Sequence, residues 1–465
     1  MSNTQLPAPH DRGPCEVIVG LDFGTSCTKV VLRTPDEGDR AFAVPFGLDG
    51  HDSSPHLCPS KLWVMPDGSC SLRATGTGGI SLGDLKTSLI RNKEIQLPEC
   101  KEPRSVEPLV TGTAYLALVL KAVRRWFLTE QANAYRGFEF DWQVNLGLPS
   151  SDFNDVTLCS RYLELITAAW WLSVQEQPID IASAADATCE VVLDSEVPGR
   201  SGLLQYEDDE YVRLSLFPEV AAEVAGYARS DLRNEGLHLL IDVGAGTLDV
   251  CGFILHASDN NEDLYELLTA DVQPLGTMTF FQGRVEAIKD IATSHFHRLR
   301  QACDPVSPVP TDLEDYLPRL EDFQDGLRKE QQQFHSRCSN MLHKNVQALK
   351  QHRDPNSPRW RDRLPVFLCG GAGEMESYAE VVNSVSLWIA NNFSACQGLE
   401  ALTLDRPDKL EGAIDPRIYH RLAVAWGLSY PECDLGAVQR PDEINSLDRM
   451  PVHDFSDRFV SKDAV

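Results

Sequence analysis

The sequence lacks every cysteine spacing that would indicate a zinc ribbon or a thioredoxin-like site. Its thirteen cysteines are scattered, and no two of them form a C-x-x-C pair. An odd and dispersed set of this kind predicts reduced thiols rather than a disulfide framework. We therefore expect no disulfides and a cytoplasmic location.

Long apolar runs are missing as well. No stretch reaches the ~20 apolar residues of a membrane-spanning helix, and the N-terminus has no apolar signal-peptide segment. Basic residues are also scarce, since 42 Lys and Arg stand against 69 Asp and Glu and give a net charge of -27. Such a charge repels nucleic acid and anionic lipid, so we expect neither a nucleic-acid nor a membrane partner.

What the sequence does contain is an alternation of strand-like and helix-like segments, which predicts an α/β protein. Its 465 residues are enough for two or three domains. The polar, proline-containing ends predict flexible tails at residues 1–15 and 431–465, although the second could dock on the body of the protein. Two apolar stripes predict long helices, one from Phe281 to Leu299 and one from Phe323 to Leu349. Together they predict a helical subdomain at about 278–352.

The first chemical motif is a glycine turn between two strands, Val17–Leu21 and Lys29–Leu32. A glycine lets backbone N–H groups approach an anion, and the neighbouring hydroxyls add donors. Asp22, at the end of the first strand, can hold Mg²⁺ through water. The candidate phosphate ligands in this hairpin are Gly24, Thr25 and Ser26.

A second hairpin, from Ile241 to Asp249, repeats this pattern with two glycines and two carboxylates. In an extended chain residues two apart point the same way, so its polar side chains can converge on one site. Two such hairpins are far more specific than one and suggest an internal duplication. The candidate residues are Asp242, Gly244, Gly246, Thr247 and Asp249.

A third glycine turn ends the strand Pro365–Cys369 and precedes a helix. Its flat backbone could lie against a nucleoside, and the following helix N-terminus favours negative charge. The candidate residues are Gly370, Gly371, Ala372 and Gly373.

The order of these motifs resembles the actin-like ATPase superfamily, and within it the nucleotide-binding domain of the DnaK-type heat shock protein 70 family. Smaller matches in the same order support this resemblance, which covers about residues 16–430. They are Pro59-Ser60, Asp84–Ile90, Leu148-Pro149-Ser150, Phe217–Ala222 and Ala423–Gly427.

The resemblance implies an actin-like ATPase fold, with two duplicated ribonuclease-H-like lobes and a nucleotide cleft between them. Lobe I would span 16–235, with an insertion at about 175–215, and lobe II would span 236–430. ATP and Mg²⁺ are the implied cofactors, with Asp22 and Asp242 organising the metal's waters. Lys86 would stabilise charge on the transferred phosphoryl group, and Glu219 with Asp242 or Asp249 would orient water. Lys29 would reach phosphate, as in actin and some sugar kinases.

Two departures from the family pattern shape the functional expectation. Glu374 follows the third glycine turn where the family has an arginine that stacks on adenine, and no β-rich peptide-binding domain follows Gly427. We therefore expect a slowly hydrolysing ATPase that acts as a conformational switch for a protein partner, without peptide clamping. Two alternatives stay open: a small-molecule kinase of the sugar-kinase type, and a nucleotide-binding pseudo-ATPase or filament-forming protein.

Overall fold

The structure is a computed structural model that describes residues 12–47, 54–74, 78–97, 104–149, 153, 155–197, 200–207, 210–230, 233–257, 263–289, 293–302, 309–310, 312–316, 324–371, 373, 375–412 and 414–439. Helices and strands alternate through these ranges, which confirms the predicted mixed α/β class. The helices in this part of the chain are too short or too polar to cross a membrane. Its cysteines are free thiols.

The first half of the chain supplies most strands of one large sheet, two small sheets of three and two strands, and the helices among them. The strands are β1 (Gly13–Phe23), β2 (Cys27–Thr34), β3 (Arg40–Ala43), β4 (Cys58–Pro59), β5 (Leu62–Val64), β6 (Cys70–Ser71), β7 (Ile80–Leu82), β8 (Ile95–Leu97), β9 (Arg104–Val106), β10 (Phe138–Leu148), β11 (Asp194–Val197), β12 (Ser201–Glu207) and β13 (Glu210–Pro218). The helices are α1 (Leu85–Arg91), α2 (Pro108–Glu130), α3 (Val156–Val174), α4 (Ile181–Glu190) and α5 (Glu219–Ala228).

The second half supplies a second sheet and its helices. The strands are β14 (Gly236–Val243), β15 (Leu248–Ala257), β16 (Asp263–Gln273), β17 (Leu364–Cys369), β18 (Leu399–Leu402), β19 (Leu410–Glu411) and β20 (Ala437–Gln439). The helices are α6 (Thr277–Ala287), α7 (Thr293–Ala302), α8 (Leu313–Tyr316), α9 (Gln324–Ala348), α10 (Glu376–Asn392), α11 (Ala423–Leu428) and α12 (Glu432–Leu435). A π-helical turn at Leu349–Arg353 and 3-10 turns at Pro358–Trp360 and Pro416–Arg421 complete it.

The first sheet has nine strands, ordered β11-β12-β13-β10-β1-β2-β3-β19 with β4 paired to β2. Strand β1 is antiparallel to β2, and β2 is antiparallel to β3. On the other side, β1 is parallel to β10 and β10 is parallel to β13. Because β1 is covered on both faces, its residues are buried at successive positions and are apolar in the Val17–Leu21 segment predicted to be a strand, whereas β10 also buries Gln143 and Asn145.

The second sheet has six strands, ordered β18-β17-β14-β15-β16-β20. Here β14 is antiparallel to β15 and β15 to β16, while β14 is parallel to β17 and β17 to β18. The order β16-β15-β14-β17-β18 therefore repeats the order and the strand directions of β3-β2-β1-β10-β13. The two predicted glycine turns occupy equivalent positions, since one joins β1 to β2 and the other joins β14 to β15.

Two helices lie between the sheets, and each covers the sheet of the other half. Helix α5 follows β13 of the first sheet but packs Val220, Val224 and Tyr227 against the second sheet. Helix α11 comes from the second half but packs against β1 and β2 of the first sheet. The two helices touch so closely that a Cβ atom on Gly427 would lie 1.7 Å from the carbonyl oxygen of Ala222.

The structure places regular elements inside both predicted tails and inside the predicted insertion. Strand β1 starts at Gly13, inside the predicted N-terminal tail, and residues 1–11 lie outside the described ranges. At the other end α12 and β20 belong to the body, because β20 pairs with β16 and Leu435 is fully buried. Residues 440–465 lie outside the described ranges. Segment 175–215 contains α4, β11 and β12, and the two strands extend the first sheet beyond β13.

The helical subdomain differs from the prediction in one respect. The stripe from Phe281 to Leu299 belongs to two helices, α6 and α7, whereas the second predicted helix is the single helix α9. Both α6 and α7 bury their apolar residues in one cluster with Tyr316 and Leu327. The apolar stripe therefore continues from α6 into α7. For this reason hydrophobic periodicity alone could not reveal that the segment forms two helices.

The contact between α5 and α11 makes a stability prediction. Replacing Gly427 by Ala should lower the free energy of unfolding by about 3 kcal/mol, because the added methyl group overlaps the Ala222 carbonyl. The measurement is equilibrium urea unfolding followed by circular dichroism. The matched control is Gly326→Ala in α9, where the methyl group meets open space and should raise stability by up to about 1 kcal/mol. Equal effects of the two substitutions would contradict the tight contact.

Candidate functional site

The first glycine turn is held in shape by the segment Pro59-Ser60. The Ser60 hydroxyl donates to the Gly24 carbonyl at 2.7 Å, and the Ser60 N–H donates to the Ser26 carbonyl at 2.8 Å. A Cβ atom on Gly24 would lie 2.4 Å from the Cys27 carbonyl oxygen. The turn Gly24–Ser26 thus requires glycine and is fixed from outside, so its position does not depend on a ligand.

The second glycine turn is held by the start of α6. The N–H groups of Thr277 and Met278 donate to the Gly244 and Ala245 carbonyls at 3.1 and 2.8 Å. A Cβ atom on Gly276 would lie 2.6 Å from the Ala245 carbonyl. The sequence analysis missed Gly276, although a glycine directly before an amphipathic helix is a recognisable helix start.

The tips of the two turns meet. A Cβ atom on Gly246 would lie 3.5 Å from Cγ2 of Thr25, so the gap between the two turns is about one methyl group wide at this point. We call the space between the turns Gly24–Ser26 and Gly244–Thr247 the cleft. It brings together polar groups from two halves of the chain that occupy equivalent positions in their sheets.

Two lysines in the cleft are each paired with a carboxylate. Lys29 Nζ lies 2.8 Å from Asp22 Oδ2, across a register pair of β1 and β2. Lys86 Nζ lies 2.8 Å from Glu219 Oε1, although the two residues come from α1 and α5. Burial is the largest influence on Lys86 and opposes its charge, but Glu219, Tyr162 and Asp22 together outweigh it and raise the pKa of the ammonium group. Lys86 is therefore a permanent buried cation.

The position of Glu219 depends on close packing. It is the first residue of α5, directly after Pro218. A Cβ atom on Gly147 of β10 would lie 3.0 Å from Glu219 Cγ, so only glycine leaves room for this side chain. The sequence analysis did not single out Gly147.

Further carboxylates lie deeper in the cleft. Burial, and after it the charge of Glu219, raises the pKa of Asp242 to about 7. Burial and the charge of Asp242 raise the pKa of Asp249 well above its usual range. The same causes raise the pKa of Glu223, which is one turn beyond Glu219 on α5 and only 2% exposed. The sequence analysis missed Glu223, whose signal is a second acid, one turn after Glu219, in the otherwise apolar helix α5.

Three carboxylate oxygens in this group have no hydrogen-bond donor among the described residues: Glu223 Oε1, Asp242 Oδ1 and Asp249 Oδ1. Their side chains line a small cavity of about 20 Å³, enough for one water molecule. Buried oxygens normally have a partner, so these atoms suit water or a hydrated cation. Within the described residues, no three His, Cys, Asp or Glu side chains are arranged to hold a metal ion directly.

The third glycine turn lies against the second hairpin. Gly370 has φ +79°, and a Cβ atom there would lie 1.9 Å from Asp242 Oδ1 and 2.6 Å from the Val243 carbonyl oxygen. The Gly373 N–H closes the turn by donating to the Gly370 carbonyl at 3.2 Å. Glycine is thus required at 370 by both conformation and space. Ala372 and Glu374 lie outside the described residues.

The structure therefore joins the predicted residues Asp22 with Lys29 and Lys86 with Glu219 in ion pairs, and Glu219, Asp242 and Asp249 line one small cavity. Neither the family models nor the curated proteins compared with the chain give a match. The function of the cleft has to be inferred from its residues.

The buried acids make a pH-dependent stability prediction. The folded state holds the Glu223 proton more tightly than the unfolded chain, so this carboxyl lowers stability increasingly as the pH rises above its ordinary pKa of 4.5. Glu223→Gln should therefore raise the free energy of unfolding at pH 8 by more than about 1 kcal/mol, and by less at pH 5. The measurement is urea unfolding at both pH values without divalent cations. The control Glu164→Gln, at an exposed position of α3, should change neither value. A gain that does not depend on pH would contradict the raised pKa.

Proposed function

We propose that the chain is a Mg-ATP-binding, slowly hydrolysing ATPase of the actin-like, heat shock protein 70 type, and that it acts as a conformational switch for a protein partner. The observation that carries the proposal is the meeting of two equivalent glycine hairpins, with a buried lysine–glutamate pair beside them. Each hairpin offers backbone N–H groups and hydroxyls to an anion. Two of them facing each other suit a chain of phosphates better than a single anion.

The proposed actin-like fold is supported by the topology. Five strands of each sheet share one order and one set of directions. Each sheet is also covered by a helix from the opposite half. These features are what a duplicated pair of ribonuclease-H-like lobes with a cleft between them would have.

The residues of the cleft fit the proposed ligand. Thr25, Ser26 and Thr247 would hold the β- and γ-phosphates, together with the backbone of the two turns. Asp22 and Asp242 would accept hydrogen bonds from the waters around Mg²⁺, and the partnerless Oδ1 of Asp242 is suited to this. When bound, Mg²⁺ would neutralise negative charge on the phosphates and orient them. The excess of carboxylates over lysines favours a ligand that brings its own cation.

The lysine–glutamate pair would act on the transferred group. Lys86 stays charged because Glu219 stabilises its ammonium group, so it can donate to an oxygen of the terminal phosphoryl group. Glu219 would accept a hydrogen bond from the attacking water and orient it, with Asp242 or Asp249 as the second acceptor. Positioning and charge stabilisation of this kind are most of what phosphoryl transfer requires from a protein.

The switch would use the two helices that are exchanged between the sheets. A ligand that contacts both hairpins favours the closed cleft, because its contacts with both exist only in that state. Any closure has to move α5 against α11, since they lie between the two sheets. A protein partner that senses this movement would distinguish the ATP state from the ADP state.

The double variant Asp22→Ala/Asp242→Ala should bind Mg-ATP at least about 100-fold more weakly than the unchanged protein. It removes both acceptors proposed for the metal's waters. The measurement is isothermal titration calorimetry in the presence of Mg²⁺, with circular dichroism to verify folding. The control variant, Asp141→Ala/Asp325→Ala, changes two exposed aspartates and should bind normally. If Asp22→Ala/Asp242→Ala binds Mg-ATP as tightly as the unchanged protein, the assignment of these two residues to the metal site is wrong.

Lys86→Ala should lower single-turnover ATP hydrolysis about 100-fold or more, because it removes a charged donor from the transferred group. The control is Lys409→Ala, which breaks a surface ion pair with Asp39 and should hydrolyse normally.

Following the γ-phosphate in the unchanged protein distinguishes the alternative functions. Inorganic phosphate supports an ATPase, and a phosphorylated metabolite supports a kinase. Binding without turnover supports a pseudo-ATPase, and light scattering with ATP would reveal filaments. An unchanged rate in Lys86→Ala would refute its catalytic role.

A further inference from the structure

Arg421 lies near both the first and the third glycine turn, and the proposed function gives it no role. It ends the 3-10 turn Pro416–Arg421, directly before α11. Its Nη2 atom lies 3.6 Å from Cys27 Sγ, immediately after the first glycine turn. A Cβ atom on Gly371, in the third glycine turn, would lie 4.0 Å from its Nε atom. The guanidinium group therefore lies between the turn proposed for phosphates and the turn proposed for the nucleoside.

The charges around Arg421 differ from those deeper in the cleft. Burial, and after it the positive charges of Arg421 and Lys29, lowers the pKa of the adjacent His420 to about 4. His420 is therefore neutral at pH 7, and the charge on this side comes from Lys29 and Arg421. Lys29 already neutralises Asp22. Arg421 thus adds a positive charge between Cys27 and Gly371.

We propose that Arg421 binds the phosphate group nearest the nucleoside. This inference rests on the proposed function and adds a ligand contact to it. A nucleotide that places its nucleoside at Gly370–Gly371 and its terminal phosphates at the hairpins has to pass its first phosphate between them. Arg421 lies near both places. A phosphate oxygen would accept a charge-assisted hydrogen bond from its guanidinium group.

The consequence is a preference within the nucleotide series. Adenosine has no phosphate and gains nothing from Arg421, whereas AMP and ADP both carry the phosphate that it would hold. The diphosphate product would also be retained by this contact after the terminal phosphate has left. Arg421 is therefore proposed to set how tightly the ADP state is held.

The test is isothermal titration calorimetry of adenosine, AMP and ADP with the full chain in the presence of Mg²⁺. Arg421→Ala should weaken AMP and ADP binding about 10- to 100-fold, which corresponds to the loss of a charged hydrogen bond, and should leave adenosine binding unchanged. Arg421→Lys should recover part of the loss, since it keeps the charge but not the planar fork. Arg40→Ala, which removes a surface arginine paired with Glu411, is the control and should match the unchanged protein.

The possible results of this titration distinguish a failure of the Arg421 contact from a failure of the proposed nucleotide site. If the unchanged protein binds ADP and Arg421→Ala binds it equally well, the role of Arg421 is refuted while the nucleotide site stands. If adenosine, AMP and ADP are all weakened by the same factor, Arg421 only supports the shape of the cleft and the proposed contact is wrong. If the unchanged protein binds neither ADP nor ATP, the proposed function itself fails and this inference falls with it.

Discussion

The structure depends on one close contact, the crossing of α5 and α11. Gly427 allows the backbones to touch over Ala222, and Gly20 of β1 lies equally close to α11, since a Cβ atom there would be 2.2 Å from the Ala425 carbonyl oxygen. Because each helix covers the sheet of the other half, this crossing fixes the distance between the sheets. That distance determines whether the two hairpins can meet. The chemistry of the cleft is therefore set by glycines that contribute no chemical group to it.

The buried carboxylates of the cleft lower the stability of the folded protein. Buried carboxylates with unpartnered oxygens and raised pKa values cost folding free energy, and they persist because the surrounding apolar packing over-determines their positions. The lysine pairs offset only part of this cost, because Lys29 and Lys86 each engage a single carboxylate. A protein built mainly for stability would carry amides or apolar groups at Asp242, Asp249 and Glu223. Their presence is consistent with a ligand that supplies positive charge.

The sequence could predict the local parts of this arrangement. The strands that end at Asp22 and Asp242, and the turns that follow them, can be predicted from continuous apolar runs and glycine spacing, and the structure has hairpins at both places. The pairing of Lys86 with Glu219 could not be derived from spacing, because it joins helices that are distant in sequence. The family resemblance assigned both residues to one site but did not predict their ion pair. The sequence did not indicate the roles of Gly147, Gly276 and Arg421. Each role depends on which residues lie next to it in the folded structure.

The exchange of helices also has a consequence for how the chain acquires its fold during synthesis. Strands β1 and β2 leave the ribosome first, but the face that α11 covers stays exposed until Leu428 has been made. The first half can bury its main apolar cluster, within residues 15–216, by itself, but the face of its sheet under α11 stays incomplete, so this half cannot finish folding before the rest emerges. Contacts this distant in sequence also predict slow folding. The nascent chain would therefore need protection from aggregation for nearly the whole time of its translation.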